Sequence, residues 1–274
     1  MSAFHCRGFA GAIRAVLSRE LRILLGTPLA WTALAAFSLV TALLFWLELL
    51  SFEVAQQRAM AVGDPALLSL LDFNDLLLGS VLVHAQVLLL FIVPLLTMRL
   101  FADEAHKGTL DFLLASPASD MAVVLGKLAG VVVVLLAAGA LLLVYPVLLH
   151  LFGRAAVQGD GVVDWPQALL GILGLVACGT LSAALGAAVS ASTSSPSSAA
   201  LVTALALVAL WLAGSAAPSL EGAAGPVLHW LAPASHLERA TRGVLALADV
   251  AYFASGTLGL VVVTWRIYAA RRRA

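Results

Sequence analysis

The sequence predicts an all-α polytopic membrane protein with six transmembrane helices, and three observations carry that reading. Of its 274 residues 62% are hydrophobic and only 11% charged, where a soluble domain carries about 25%. The apolar residues fall into six runs near the length of about 20 residues that a helix needs to cross the hydrocarbon. The charges are gathered between the runs, most densely at Arg99, Asp103, Glu104, Lys107, Asp111, Asp120 and Lys127. Each charge at the bilayer centre costs about 2.5 to 3.5 kcal/mol on the gentlest scale. The stretch 99–127 is therefore expected to lie in water or against a soluble partner. Formal net charge is zero, so no global field recruits nucleic acid. Cys6 and Cys178 suggest no disulfide framework.

Residues 9–25 place Phe9, Ile13, Val16, Leu17, Leu21 and Leu24 at helical spacing, with Arg14, Ser18, Arg19 and Arg22 on the other side. This is an amphipathic helix suited to the membrane interface, or else a positively charged flank of the first span. Gly26 ends it, and Thr27 with Pro28 offers the next helix an N-cap and a first-turn proline.

The spans are expected at 29–50, 76–98, 121–150, 167–190, 199–217 and 251–268. The first is too long in its apolar part for a signal peptide and reads as an uncleaved anchor. Glu48, near its far end, is either solvated at the interface or a buried proton site. The connection 51–75 follows, and His84, Gln86 and Pro94 interrupt the second span. The third is longer than a crossing requires, so it is expected to tilt or project, with Ser119 or Asp120 as its N-cap. In the fourth, Gly174, Cys178, Ser182, Gly186 and Ser190 recur every fourth residue, forming one strip of small side chains. Such a strip packs helices inside one subunit, or serves a subunit interface or transport pathway. Pro196, in a Ser/Thr-rich turn, starts the fifth span. Residues 218–249 are broken by Pro218, Gly222, Gly225, Pro226 and Pro233. Their apolar piece 227–231 is too short to cross, which makes it a re-entrant or interfacial helix.

Arg7, Arg14, Arg19, Arg22, Arg99, Lys107, Lys127, Arg266, Arg271, Arg272 and Arg273 fall on one side, against Arg58, Arg154, Arg239 and Arg242 on the other. By the positive-inside rule both termini and the stretch 99–127 are cytoplasmic. Within that stretch Gly108 and Thr109 supply a turn and cap, residues 110–115 make a short helix, and Ser116 with Pro117 stop it. Phe112, Leu113 and Leu114 give it an apolar face, for a partner's groove or for the membrane surface.

Glu104, Gly108-Thr109-Leu110, Leu113-Leu114, Ser116-Pro117 and Gly126-Lys127 together resemble the signature after the second span of ABC-2 type permeases, the membrane subunits of type V ABC exporters. Residues 22–28, and Arg242-Gly243-Val244, Asp249-Val250 and Tyr252-Phe253 before the last span, extend the resemblance over essentially the whole chain, closest to gliding-motility-associated permeases. The resemblance implies a single transmembrane domain over 1–274 in which 9–25 is a connecting helix, 109–115 a coupling helix and 218–249 an extracellular re-entrant segment. It places Glu104, Gly108, Thr109, Leu110, Leu113 and Leu114 at the contact with an ABC ATPase. It further implies two ATPase copies holding ATP and Mg, a second copy of this permease or a homologous one, room for an auxiliary membrane subunit with a periplasmic domain, and the inner membrane of a bacterium.

No engine is encoded in the chain. Gly126-Lys127 is followed by Leu128 and preceded at P-loop spacing by Met121, so no phosphate cradle forms. His5, His84, His106, His150, His229 and His236 are scattered, and no metal site or nucleophile motif is expected. The expected function is a permease subunit moving substrate by a partner's ATP hydrolysis, with no enzyme activity of its own. The competing expectation is a membrane anchor or force transmitter of an envelope machine.

Overall fold

The computed structural model describes residues 2–63, 74–109, 119–152, 163–220 and 222–273. They contain no strand, and six helices are long and apolar enough to cross a membrane. In chain order the helices are α1 (Ser2–Gly26), α2 (Pro28–Val62), a π-helical turn (Asn74–Gly79) running into α3 (Ser80–Thr97), α4 (Ala102–His106), α5 (Asp120–Leu142), α6 (Val144–Phe152), α7 (Trp165–Ser192), α8 (Pro196–Ala216), α9 (Ala224–Leu231), α10 (Pro233–Thr241) and α11 (Leu247–Arg273). Spans one to six are α2, the π-turn with α3, α5 with α6, α7, α8 and α11.

The punctuation follows local chemistry. Pro28 occupies the first turn of α2, where its missing N–H is no loss. Thr27 holds the N-cap position, but its hydroxyl donates back to the Leu24 carbonyl (3.1 Å) instead of capping forward. Ser119 accepts from the Ala122 N–H at the start of α5 (3.3 Å), and Ser195 from the Ser198 N–H ahead of Pro196 (3.4 Å).

Two expectations need correction. Span one does not stop near Leu50; α2 continues through Glu53 and Arg58 to Val62 and ends where Gly63 takes φ 72°, its N–H reaching the Ala59 carbonyl. Residues 51–62 are good helix formers, so only the left-handed glycine cap stops them. Span three is not one straight helix. It breaks at Leu143, because Pro146 has no N–H for the Leu142 carbonyl and its ring crowds that turn.

Spans two, three and four form the centre of the bundle, with roughly half of each apolar window buried, against 17% for spans one and five. Span four is the hub, packed against spans two, three, five and six and against α10. Its small-residue strip makes this possible, since a Cβ added at Gly186 would meet the Thr97 side chain at 2.2 Å and one at Gly174 would meet Ala240 Cβ at 2.7 Å. Cys178, buried, receives a long contact from the Gln86 amide (3.7 Å), and Ser182 returns its hydroxyl to the Cys178 carbonyl. Gly174, Cys178, Ser182 and Gly186 therefore face α3 and α10 of the same chain.

Thr97 is β-branched and fully buried, so it cannot swing away from a new side chain at position 186. Gly186→Val is expected to lose about 1 to 3 kcal/mol by overpacking, read as a lowered unfolding midpoint in detergent. Gly259→Ala, with open space around its Cβ position, leaves the midpoint unchanged or raised.

Candidate functional site

The end of the bundle that carries α1 and the end of α11 contains a buried ionic cluster. Helix α1 lies along α5, turning Val16, Glu20 and Leu24 inward and Arg14, Ser18, Arg19 and Arg22 outward. The close approach depends on Gly126 and Gly130 of α5, where added Cβ atoms would meet Val16 at 2.7 Å and Glu20 Cβ at 3.1 Å. Between these glycines, one turn apart, stands Lys127, only 1% exposed.

The Lys127 ammonium sits 2.8 Å from Glu20 Oε1 and 3.0 Å from Glu104 Oε2. It also lies over the Phe101 ring, 5.3 Å from the centroid. Arg19, half exposed, closes the cluster with a bond to Glu104 Oε1 at 3.1 Å. The contact at Glu104 Oε2 is an ion pair without good hydrogen-bond direction, whereas Glu20 and Arg19 supply directed bonds. Two cations and two carboxylates cancel in formal charge. Each ion gives up several kcal/mol of hydration, and the mutual geometry offsets that loss. Arranged so, the cluster adds less to net stability than to fixing one register among three elements.

Glu104 belongs to α4, a helix of little more than one turn, and α4 is held at both ends. Ser190, fully buried on α7, accepts from the Phe101 and Ala102 N–H groups at 3.1 Å each and donates to the Met98 carbonyl. At the other end Gly108 takes φ 67°, its N–H bonding to the Ala105 carbonyl and the Thr109 N–H to the Glu104 carbonyl. This is the paired closure that ends helices on a left-handed glycine. Arg272 of α11 completes this end of the bundle with a 2.7 Å bond to Asp120 at the start of α5. The described chain thus stops at one fixed turn at Thr109 and resumes at the Ser119 cap.

Of the residues expected at a partner contact, Gly108 and Thr109 terminate α4, and Glu104 is buried beneath it. Leu110, Leu113 and Leu114 lie outside the described residues. The expectation that the whole stretch 99–127 lies in water or against a soluble partner fails for Glu104 and Lys127, because opposite charges inside the protein neutralise each other where lipid could not. Glu20 escaped the sequence reading. Its signal was an acid on the apolar stripe between Val16 and Leu24, matched by a lone lysine inside an apolar run.

At the opposite end a cavity of about 650 Å³, with polar side chains set in a mainly apolar wall, opens between spans two and five and the short helices α9 and α10. Asp75, His84, Gln86, Trp211, Glu238 and Arg242 contribute to its wall. Among the described residues no three His, Cys, Asp or Glu side chains converge as metal ligands would.

A family model described as ABC-2 family transporter protein matches residues 14–269, nearly the entire chain. The chain belongs to the ABC-2 transporter family. The match starts inside α1 and ends on α11, so the buried cluster and the cavity both fall within it. It is a match to the family as a whole and does not single out the gliding-motility-associated branch. No curated protein matches the sequence. As an ABC-2 protein the chain is a multi-pass membrane protein and a permease subunit of an ABC transporter, not itself the ATPase, and the family implies an ABC ATPase partner.

Removing the ammonium of Lys127 would leave two buried carboxylates facing each other. Lys127→Met is therefore expected to cost about 3 to 5 kcal/mol, measured as a shift in the denaturant midpoint of the detergent-solubilised chain. Adding Glu20→Gln and Glu104→Gln to it recovers most of that loss, since no buried charge then lacks a partner.

Proposed function

We propose that this ABC-2 permease is the membrane half of an exporter in the inner membrane of a bacterium, with both termini and residues 99–127 in the cytoplasm. Residues 110–115 act as the coupling helix against the ATPase subunit, which holds ATP and Mg. The supporting observation is the buried cluster of Arg19, Glu20, Glu104 and Lys127. It ties the turn from which that helix departs to α1 and to the start of span three. A push on residues 110–115 would therefore reach spans two and three and α1 together, because packed interiors move as units.

Spans one and five expose most of their apolar surface, and such a face suits a second permease copy, giving a unit of two permeases and two ATPases. The cavity is this chain's contribution to the path. A cavity lined by Asp75, His84, Glu238 and Arg242 serves a transported solute better than a device that only transmits force.

The double variant Leu113→Asp/Leu114→Asp would place two charges on the apolar face of the coupling helix. Stimulation of the partner's ATPase in reconstituted vesicles is expected to fall about tenfold or more, a loss of at least 1.4 kcal/mol of contact energy. The unfolding midpoint stays unchanged because the buried cluster is not touched. Full stimulation with normal assembly would remove the coupling assignment.

A further inference from the structure

The two short helices at the end opposite the termini are pinned by side chains at the one place where a helix is least able to satisfy itself. The last carbonyls of a helix have no internal partner. In α9 all four are taken: His229 O accepts from the Ser235 hydroxyl, Ala232 O from the Ser235 N–H (3.3 Å), Trp230 O lies 2.8 Å from His236 Nε2, and Leu231 O accepts from the Tyr252 hydroxyl at 2.6 Å. Three side chains from α10 and span six hold the corner.

His236 is the decisive member. It is 2% exposed, with Nδ1 2.6 Å from Asp249 Oδ1 and Nε2 on the Trp230 carbonyl. A carboxylate and a carbonyl can only accept. A neutral ring carries one N–H: on Nδ1 it leaves the Nε2 lone pair against the Trp230 carbonyl, and on Nε2 it leaves the Nδ1 lone pair 2.6 Å from Asp249, with only the Arg239 terminal nitrogen at 3.1 Å to donate to it. The imidazolium has a proton for each. Its surroundings suit a cation: the Tyr252 ring stacks on it with centroids 3.9 Å apart, and the negative end of the α9 dipole points at it. Arg239 bonds to Asp249 through Nε at 2.9 Å and again through its terminal nitrogen, which also lies 3.1 Å from Nδ1. That hydrogen bond raises the Arg239 pKa, so the guanidinium stays charged and the Asp249 carboxylate is never without a partner.

The remaining ionisable neighbours are placed otherwise. Glu238 and Arg242 of α10 pair with each other at the surface (2.7 Å), and Cys178 of span four packs with Phe253 behind the cluster. From α9 and span two, His229 and His84 line the first cavity on the other side of α10, together with Asp75 of the π-turn. Helix α10 is also the wall of a second, apolar cavity of about 610 Å³ between spans four and six, with His236 and Asp249 at its edge. Whatever holds α10 in place separates the two cavities.

We propose that His236 is a proton-operated latch: as imidazolium it holds the end of α9 and the start of span six at once, and loss of one ring proton removes one of those two bonds and loosens a corner that Arg239, Ser235 and Tyr252 still tie. The latch is closed at low pH and opens as pH rises. It stands on the geometry of this corner alone and does not depend on the transport reading above.

The test is hydrogen exchange of the full chain in lipid nanodiscs between about pH 5.5 and pH 8.5, followed in peptides covering 224–241 and corrected for the intrinsic pH dependence of exchange. Exchange in this segment is expected to quicken about tenfold across that range, while the centre of spans two to four stays protected. His236→Gln should exchange at the fast rate at every pH, and His229→Gln should keep the wild-type response. Protection that does not change with pH in the wild-type chain overturns the proposal, as does an unaltered pH response in His236→Gln. Should His236→Gln fail to fold, the wild-type series and His229→Gln decide the matter alone.

Discussion

One ammonium group, buried between two carboxylates contributed by distant parts of the chain, sets the geometry of the terminal end of this protein. Lys127 comes from span three, Glu20 from the amphipathic helix and Glu104 from the turn after span two. An apolar contact tolerates sliding by a rotamer or a fraction of a turn. A buried ion pair does not, because moving either partner by a few ångströms leaves a charge stranded in a low dielectric. The cluster therefore converts three separately packed elements into one body.

The cluster is reachable only because glycines thin the interface around it. Gly126 and Gly130 let α1 settle on α5 closely enough for Glu20 to meet Lys127. On the neighbouring helix, Gly186 seats Thr97, and Ser190, one turn further on, caps α4 and so aims Glu104. Steric permission and electrostatic specification are separate jobs here, and different residues perform them. In a membrane that division is expected, since lipid gives helices no hydrophobic reason to associate, and close packing with a few polar bonds must supply the contact.

Much of this was legible in the sequence. The six apolar runs, the cap at Ser119, the start of the fifth span at Pro196, the amphipathic stripe and the broken segment before the last span are one-dimensional patterns, and they appear in the helices as written. What was hidden depends on partners far apart in the chain. Glu20 and Lys127 are 107 residues apart, and periodicity cannot say that an acid on one apolar stripe answers a base on another. Charge density along 99–127 suggested a stretch lying in water or against a soluble partner because sequence reports how many charges lie nearby, not which have found a counter-ion. The end of α2 was missed for a different reason: polarity marks where a helix leaves the membrane, whereas the helix itself continues until a residue such as Gly63 stops it. The bend in span three was written at Pro146, but excess length alone admits tilt and kink equally.

The two ends of the bundle solve the same problem in related ways. At each, an element too short to be stable alone is tied to a span by ion pairs with a buried carboxylate: α4 to span three through Lys127, and α10 to span six through His236, Arg239 and Asp249. Their switching properties differ with the chemistry of the cation. The terminal-end tie, a lysine between two carboxylates, is loosened by displacing one of those three partners. An imidazolium can also be loosened by losing a proton.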